Sequence, residues 1–483
     1  MRSRVKLLPS ALAGIALATS APAVDQIVTL GDSLTFAYEG SFAFQETIFG
    51  NTVGDGFNST VRNWIELLSS SSYREDFFDL GTRDTIRVQK TLFPATYANL
   101  YLRQLHNWAI PGLEIDQLRR FVNGDATLYD LLNEDPDFAQ LVTLLQASDF
   151  QESDFDVVDL ESQITSVAER VTLFIGGNDL RGIYGTIYNG GSAGTFVADF
   201  IDDAAFILDW VLALNPTVEI VVVAVPHVGI TPDIKSTYPT DPLKTPLVTA
   251  LTRDLNTQLK GLADARGLGF ADIFTPTLPL LEADPLCIHG IPFFNTGSTT
   301  GDLDYVWLNG ALSANFHPNT NAQAVIANVI VDAFNSKYDT GIAPLTATEI
   351  LGGMLGKTAG QIDMPFATWM DCFGLTGLPE SDDSDGDNVP AGVEFGLGLD
   401  PTMKDGHKIV RSLVNGGTEL ELAYPLRLTS STRFTLTPAS GTDPASMTPF
   451  AVAPAPEADG LARAAISLSG SRGFLQLQSV ITP

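Results

Sequence analysis

Ser33 stands in VTLGDSLTFAYEG, where a β-branched run ends at Gly31-Asp32. A serine hydroxyl is a weak nucleophile and needs a base to take its proton. If a helix starts at this turn, its free N–H groups and positive dipole end lie beside the hydroxyl. The plainer alternative is a helix cap. His317, in NFHPN, is one of five histidines and precedes Pro318 and a helix-forming stretch from Asn321. Its imidazole can act as a general base. Asn178 follows the apolar run VTLFI in VTLFIGGNDL. That places its amide at the carboxyl end of a strand, where open α/β sheets gather ligands and where an amide can donate to an oxyanion. A Gly-Asn-Asp loop capping a helix explains the same letters. Gly112 closes NWAIPG just before a helix at Leu113. A backbone N–H there can point at an anion, or the segment is an ordinary Pro-Gly turn.

A second chemistry sits in SDDSDGDNVPAGVE. Asp383, Asp385 and Asp387 occupy positions 1, 3 and 5 of a 12-residue loop, and Glu394 occupies position 12. Val389, at position 7, would add its carbonyl. Ca²⁺ takes six to eight hard oxygens, and this spacing wraps them round one ion. Position 6, normally Gly because the backbone is left-handed there, is Asn388, the next most tolerant residue. A solvated charge run is the alternative.

The elements that must position these residues are legible from Gln26 to about Tyr338. Gln26–Leu30, Val171–Ile175 and Val218–Val225 read as strands, the last two nearly all apolar, as for strands covered on both faces. Helices are expected over Thr60–Leu68, Leu113–Phe121, Thr195–Leu214, Pro246–Ala265 and Asn321–Phe334. In Pro246–Ala265, Leu247, Leu251, Leu255 and Leu259 recur every four residues as an apolar stripe. Alternating strands and helices call for a parallel sheet with helices on both faces. Residues 126–161 read as an acidic helical insertion. Thr340–Gln361 is rich in Gly, Thr and Ala and reads as a linker or short helical bridge, the linker extending over 340–379. The acidic loop segment spans 380–402, and short alternating runs over 403–483 suggest a small β-rich domain.

The chain has 483 residues, 45% apolar and 17% charged, which fits two or three globular domains. Its 57 acidic residues against 27 basic ones leave a net charge of −30, so nucleic-acid and anionic-membrane binding are set aside. Residues 1–23 carry Arg2, Arg4 and Lys6, a short apolar stretch and Ala21-Pro22-Ala23, the pattern of a cleaved secretory signal peptide. No later stretch is long and apolar enough to span a membrane. Export would permit a disulfide between Cys287 and Cys372, but the sequence leaves free and paired equally open.

Taken in order, Gly31-Asp32-Ser33-Leu34, Asn107 to Gly112, Gly176-x-Asn178-Asp179 and His317-Pro318 resemble the four blocks of the GDSL, or SGNH, serine hydrolases. VTLFIGGNDL is most similar to their phospholipase-B-like and plant-lipase-like branches. The resemblance covers about Gln26–Tyr338, within a hydrolase domain expected over residues 24–339. It implies a three-layer α/β/α sandwich with a parallel central sheet, followed here by the β-rich appendage. It implies that Ser33 attacks an ester carbonyl with His317 as base, and that the N–H groups of Ser33 and Gly112 and the amide of Asn178 hold the oxyanion, without a cofactor. The substrate would be an ester of a lipid, a short acyl chain or an acylated polysaccharide. The acidic segment resembles the calcium loops of exported bacterial proteins, which implies a structural ion and a bacterial source.

One position departs from the family. The acid usually found three residues before the histidine is Ala314. A main-chain carbonyl or Asn315 would then hold the ring, or Asp302 or Asp304 would reach it. Otherwise the chain is a weakened enzyme, a binding protein for carbohydrate or cell surface on the same fold. A third possibility is a calcium-dependent adhesion protein whose working part is the tail.

Overall fold

The computed structural model describes residues 25–39, 41, 56–69, 78–92, 95–127, 130–131, 134, 156–282, 285–310, 314–428, 431–444, 446–457, 461–468 and 473–482. The expected leader and most of the 126–161 insertion lie outside these residues.

Strands β1 (Asp25–Gly31), β2 (Phe78–Asp79), β3 (Arg83–Leu92), β4 (Ala95–Gln104), β5 (Asn107–Ala109), β6 (Arg170–Phe174), β7 (Glu219–Val223) and β8 (Gly269–Ala271) belong to the first part of the chain. Five of them form a parallel sheet in the order β2-β1-β6-β7-β8, and β5 also pairs with β1. The two faces of this sheet can be read residue by residue. Val28, Leu30, Val171, Leu173, Ile220 and Val222 enter one apolar cluster with the helices Ile115–Val122, Phe196–Leu214 and Thr245–Ala265. Ile27, Phe174, Val221 and Val223 enter another with Trp64–Ser69 and Thr320–Tyr338. The period-2 alternation of strand side chains thus gives three layers, α/β/α.

Register places the loops. Gly31 pairs with Ala109 on one side and with Phe174 on the other, so β1, β5 and β6 end level. The segments that follow them, carrying Ser33, Gly112 and Asn178, therefore leave the sheet side by side. Gly31 itself is required by that close approach, because a Cβ there would collide with the Phe174 carbonyl.

The helix Thr245–Ala265 corrects one detail of the sequence reading. Leu247 is 44% exposed, and the buried face instead runs through Val248, Thr252, Leu255, Leu259 and Ala263. Steps of four residues overshoot a 3.6-residue turn by about 40° each. A strict four-residue stripe therefore rotates off the core within a few turns.

Beyond the first sheet, β9 (Leu286–Ile288), β10 (Ile291–Ser298) and β11 (Tyr305–Leu308) form a small sheet ahead of His317. Residues 340–379 are helical in part and strongly packed: Leu345, Leu351, Trp369 and Met370 are buried in the same cluster as Phe334. The tail holds β12 (Val410–Val414), β13 (Glu419–Tyr424), β14 (Phe434–Gly441), β15 (Thr448–Pro449), β16 (Ala462–Ser467) and β17 (Phe474–Ile481), arranged as antiparallel sheets β12-β13-β16 and β15-β14-β17. Phe395, Phe434 and Tyr424 join this tail to the shared apolar cluster.

Cys287 of β9 and Cys372 are disulfide-bonded, with Cα atoms 6.0 Å apart and 85 residues of separation. Closing so long a loop restricts the unfolded chain. Replacing both cysteines by serine is expected to lower unfolding stability by about 2–5 kcal/mol, read by denaturant titration. An unchanged midpoint would show that the shared apolar cluster alone holds these segments together.

Candidate active site

The turn after β1 is built on Asp32. Its Oδ1 accepts the Leu34 N–H (2.9 Å), and its main-chain carbonyl accepts the N–H groups of Thr35 and Phe36 (3.0 Å each). No helix begins at Ser33. The chain makes a tight turn there, Ser33 is half-buried, and helical residues appear only at Tyr38. The carboxylate of Asp32 also accepts the Gly177 N–H, tying this turn to the one after β6.

Burial pushes the Asp32 carboxyl up from 3.8 to about 7, against those two backbone donors. A carboxyl raised in the folded state favours folding most below its unfolded pKa. That contribution is lost as pH rises from about 4 through about 7. Asp32→Asn is expected to flatten the fall of the unfolding midpoint over this range. An unchanged slope would mean that Asp32 does not titrate there.

Asn107 is the residue that the sequence left without a role. Its Oδ1 accepts from Thr29 Oγ1 (2.8 Å) and the Ala109 N–H (3.1 Å), and its Nδ2 donates to the Thr35 carbonyl (3.0 Å). It therefore locks the Ser33 turn onto β5. Gly112 follows in a left-handed conformation, φ 80°. The helix after it starts at Ile115, two residues later than the sequence suggested, and Asp179 Oδ1 accepts the Ile115 N–H (3.1 Å).

Asn178 occupies the first turn of the helix Gly177–Tyr188, directly after β6 and the left-handed Gly176 (φ 118°). One hydrogen of its amide goes to the Leu113 carbonyl (3.1 Å), which fixes the side chain against the Gly112 segment. An amide has two N–H groups, so the second can serve a ligand. If Asn178 holds the oxyanion of an ester substrate, as the sequence resemblance implies, Asn178→Ala lowers kcat by about 10²–10³ with KM little changed. A loss confined to KM would assign Asn178 to substrate binding instead.

His317 is buried at the end of the turn Ala314–Phe316. Its N–H donates to the Ala314 carbonyl (2.9 Å) and its carbonyl accepts from Leu308 (3.0 Å). The ring packs among Phe57, Tyr38 and Phe316, with centroids 5.4, 6.1 and 6.1 Å away. The Tyr38 hydroxyl donates to the Pro318 carbonyl (2.9 Å) and accepts from Gln323 (2.7 Å). A Cβ placed on Gly177 would touch both Asp32 Oδ2 (3.6 Å) and Phe316 Cε1 (3.7 Å). The neighbours of Ser33, Asn178 and His317 thus meet at one point.

Ala314 is fully buried in an apolar cluster with Tyr38, Phe57, Val61 and Leu308. The side chains considered as substitutes for an acid there have other engagements. Asn315 donates to Asp233 (3.3 Å), Asp304 pairs with Lys357, and Asp302 Oδ1 accepts the Asp304 N–H (3.0 Å).

In the tail, Asp383, Asp385 and Asp387 each bring a carboxylate oxygen within 4.8 Å of the others, and so do Asp387, Glu394 and Asp405. Asn388 is left-handed (φ 70°), as position 6 of the loop requires. The Val389 N–H donates to Asp387 Oδ1 (2.8 Å). Asp405 escaped the sequence reading because it lies outside the 12-residue pattern, and only folding brings it to the loop. Glu394 and Asp405 are 1% and 9% exposed, and Glu394 Oε1, Asp405 Oδ1 and Asp385 Oδ2 are buried without a hydrogen-bond partner. Burial and the surrounding carboxylates push Glu394 up to about 9. Burial pushes Asp405 to about 7 despite Lys408. Crowded, desolvated, unsatisfied carboxylates are the donor set a hard divalent cation fits.

These features define a three-layer α/β/α sandwich on a parallel central sheet, with β sheets added at the C-terminus. Among solved structures, an extracellular lipase from Streptomyces rimosus is 16% identical, with 64% of this chain and 99% of the lipase covered at a TM-score of 0.30. A carbohydrate esterase family 3 protein from Talaromyces cellulolyticus is 14% identical, with 65% and 99% covered and a TM-score of 0.29. A peptidoglycan O-acetylesterase is 13% identical, with 65% and 91% covered and a TM-score of 0.28. The sequence matches no family model and no curated protein.

Proposed function

We propose that this chain is an exported serine ester hydrolase that works through an acyl-enzyme on Ser33. The observation that carries the reading is the convergence of four distant segments at the carboxyl end of one parallel sheet, joined through Asp32, Asn107, Gly177 and Phe316. Ser33 Oγ attacks the ester carbonyl as His317 takes its proton. The N–H groups of Ser33 and Gly112 and the amide of Asn178 receive the negative charge on the carbonyl oxygen. His317 returns the proton to the departing alcohol, and a water activated by the same ring releases the acid. No helix among the described residues is long and apolar enough to cross a membrane. That is compatible with export under the leader at residues 1–23.

The reading includes a structural Ca²⁺ on Asp383, Asp385, Asp387, the Val389 carbonyl and Glu394, with Asp405 added from outside the loop. Its role is to neutralise and cross-link the tail. Ala314 favours the competing reading, a weakened binding protein for carbohydrate or cell surface. A fluorophosphonate probe separates the two. The hydrolase reading expects one stoichiometric adduct on the Ser33 peptide and none in Ser33→Ala. Absence of an adduct on the wild-type chain would reject the nucleophile and leave the binding protein.

A further inference from the structure

An apolar cavity adjoins the site. We propose that it receives the acyl chain of the substrate, so that the enzyme acts on esters of fatty acyl groups longer than acetyl. The proposal rests on the hydrolase reading and deepens it.

Position is the first argument. Leu34, the residue after Ser33, forms part of the wall, and so do Phe316 and Pro318, which flank His317. The remaining walls come from the segments after β7 and β8 and from the start of the helix Thr320–Tyr338. The cavity therefore lies at the carboxyl ends of the strands, the region where open α/β sheets gather ligands. An acyl group bonded to Ser33 Oγ would have Leu34 as its immediate neighbour.

Chemistry is the second. Three polar side chains reach the lining, and each has its polar group engaged. Thr231 Oγ1 donates to the Val228 carbonyl (2.8 Å), Thr277 Oγ1 to the Ile273 carbonyl (2.7 Å), and Trp307 Nε1 to Asn295 (2.8 Å). The cavity measures about 60 Å³. A water needs roughly 10–15 Å³ and two to four polar partners, so there is room for about four to six such occupants and no partner for them. A dry, apolar space of this size suits a short hydrocarbon chain. An acetyl group would leave most of it empty, and a sugar would find no partners for its hydroxyls.

The test uses p-nitrophenyl acetate, butyrate, hexanoate and palmitate, which share one leaving group, so length dependence reports the acyl side alone. Each buried methylene is worth about fourfold in binding. The expected kcat/KM rises at least roughly tenfold from acetate to butyrate and levels off once the cavity is full. Ala322, on the cavity wall and outside the catalytic machinery, is replaced by phenylalanine to fill it. Ala322→Phe is expected to abolish the preference for hexanoate while hydrolysis of the acetate ester persists. Val325→Phe, from the same helix, repeats the test if the first variant fails to fold. Equal kcat/KM for acetate and butyrate, or a length preference that survives both fillings, would overturn the pocket and leave the hydrolase intact. No hydrolysis of any ester, with no Ser33 adduct, would instead overturn the hydrolase reading on which it rests.

Discussion

Ser33→Ala, His317→Ala and the double variant are each expected to lower kcat for the preferred ester by about 10⁴ or more, with the double variant no worse than either single one. Nucleophile and base act as one unit, so losing either removes the shared step, and the losses do not add. The size of the drop also reports on Ala314. In a complete triad, loss of the serine or histidine costs about 10⁶, and loss of the acid alone about 10⁴. A dyad with nothing in place of the acid would already sit low and fall only about a further 10². A fall of 10⁴ or more means that the ring is held and its cation tolerated by other means. Close packing can supply the hold: Phe57, Tyr38 and Phe316 pack against the imidazole, and Tyr38 is itself pinned by Gln323 and the Pro318 carbonyl. Additive losses in the double variant would show that Ser33 and His317 do not act on the same step.

Much of this arrangement could be read without coordinates, for definite reasons. β1, β6 and β7 are β-branched runs buried on both faces, so their composition alone marks them. Ser33 and Asn178 are found because each follows such a run, and turns at strand ends are written in Gly, Asn and Asp. Other parts were not legible. β5 is three residues long and β2 two, too short for any period to show, although β5 carries Asn107. Residues 340–379 look like a linker because Gly and Thr are frequent there, yet Trp369 and Leu351 are fully buried by partners far away in the chain. Asp405 and the Cys287–Cys372 bridge depend on the same kind of long-range meeting. Local pattern reports the elements and the ends of the long strands. Contacts made only by the finished fold leave no local trace.

The proposed cation site leads to the second large effect. Stripping divalent cations from the full chain with EDTA is expected to lower its unfolding midpoint, and Ca²⁺ is expected to restore it. Binding to the folded state alone, at a hundredfold excess over Kd, is worth about 2.7 kcal/mol. The variants make the prediction specific. Glu394 is buried with Oε1 unpaired and is crowded by Asp385, Asp387 and Asp405, so without an ion the folded chain holds it at a cost. Glu394→Gln keeps the shape and removes the charge. It should therefore be more stable than the wild type in EDTA and less stable than the wild type in Ca²⁺. Asp405→Asn should show the same inversion, which would establish that a residue outside the loop belongs to the site. Lys408 lies 3.7 Å from Asp405 and 3.5 Å from Asp332, within the helix Thr320–Tyr338 that follows His317. The tail thereby reaches the helix that follows His317, so on the proposed function cation loss should also speed thermal inactivation of ester hydrolysis. Equal midpoints in EDTA and Ca²⁺ for the wild type would reduce the loop to a solvated charge run. The buried, unpaired oxygens of Glu394 and Asp405 call for a cation or a proton to neutralise them, and the Ca²⁺ dependence of the midpoint decides between the two.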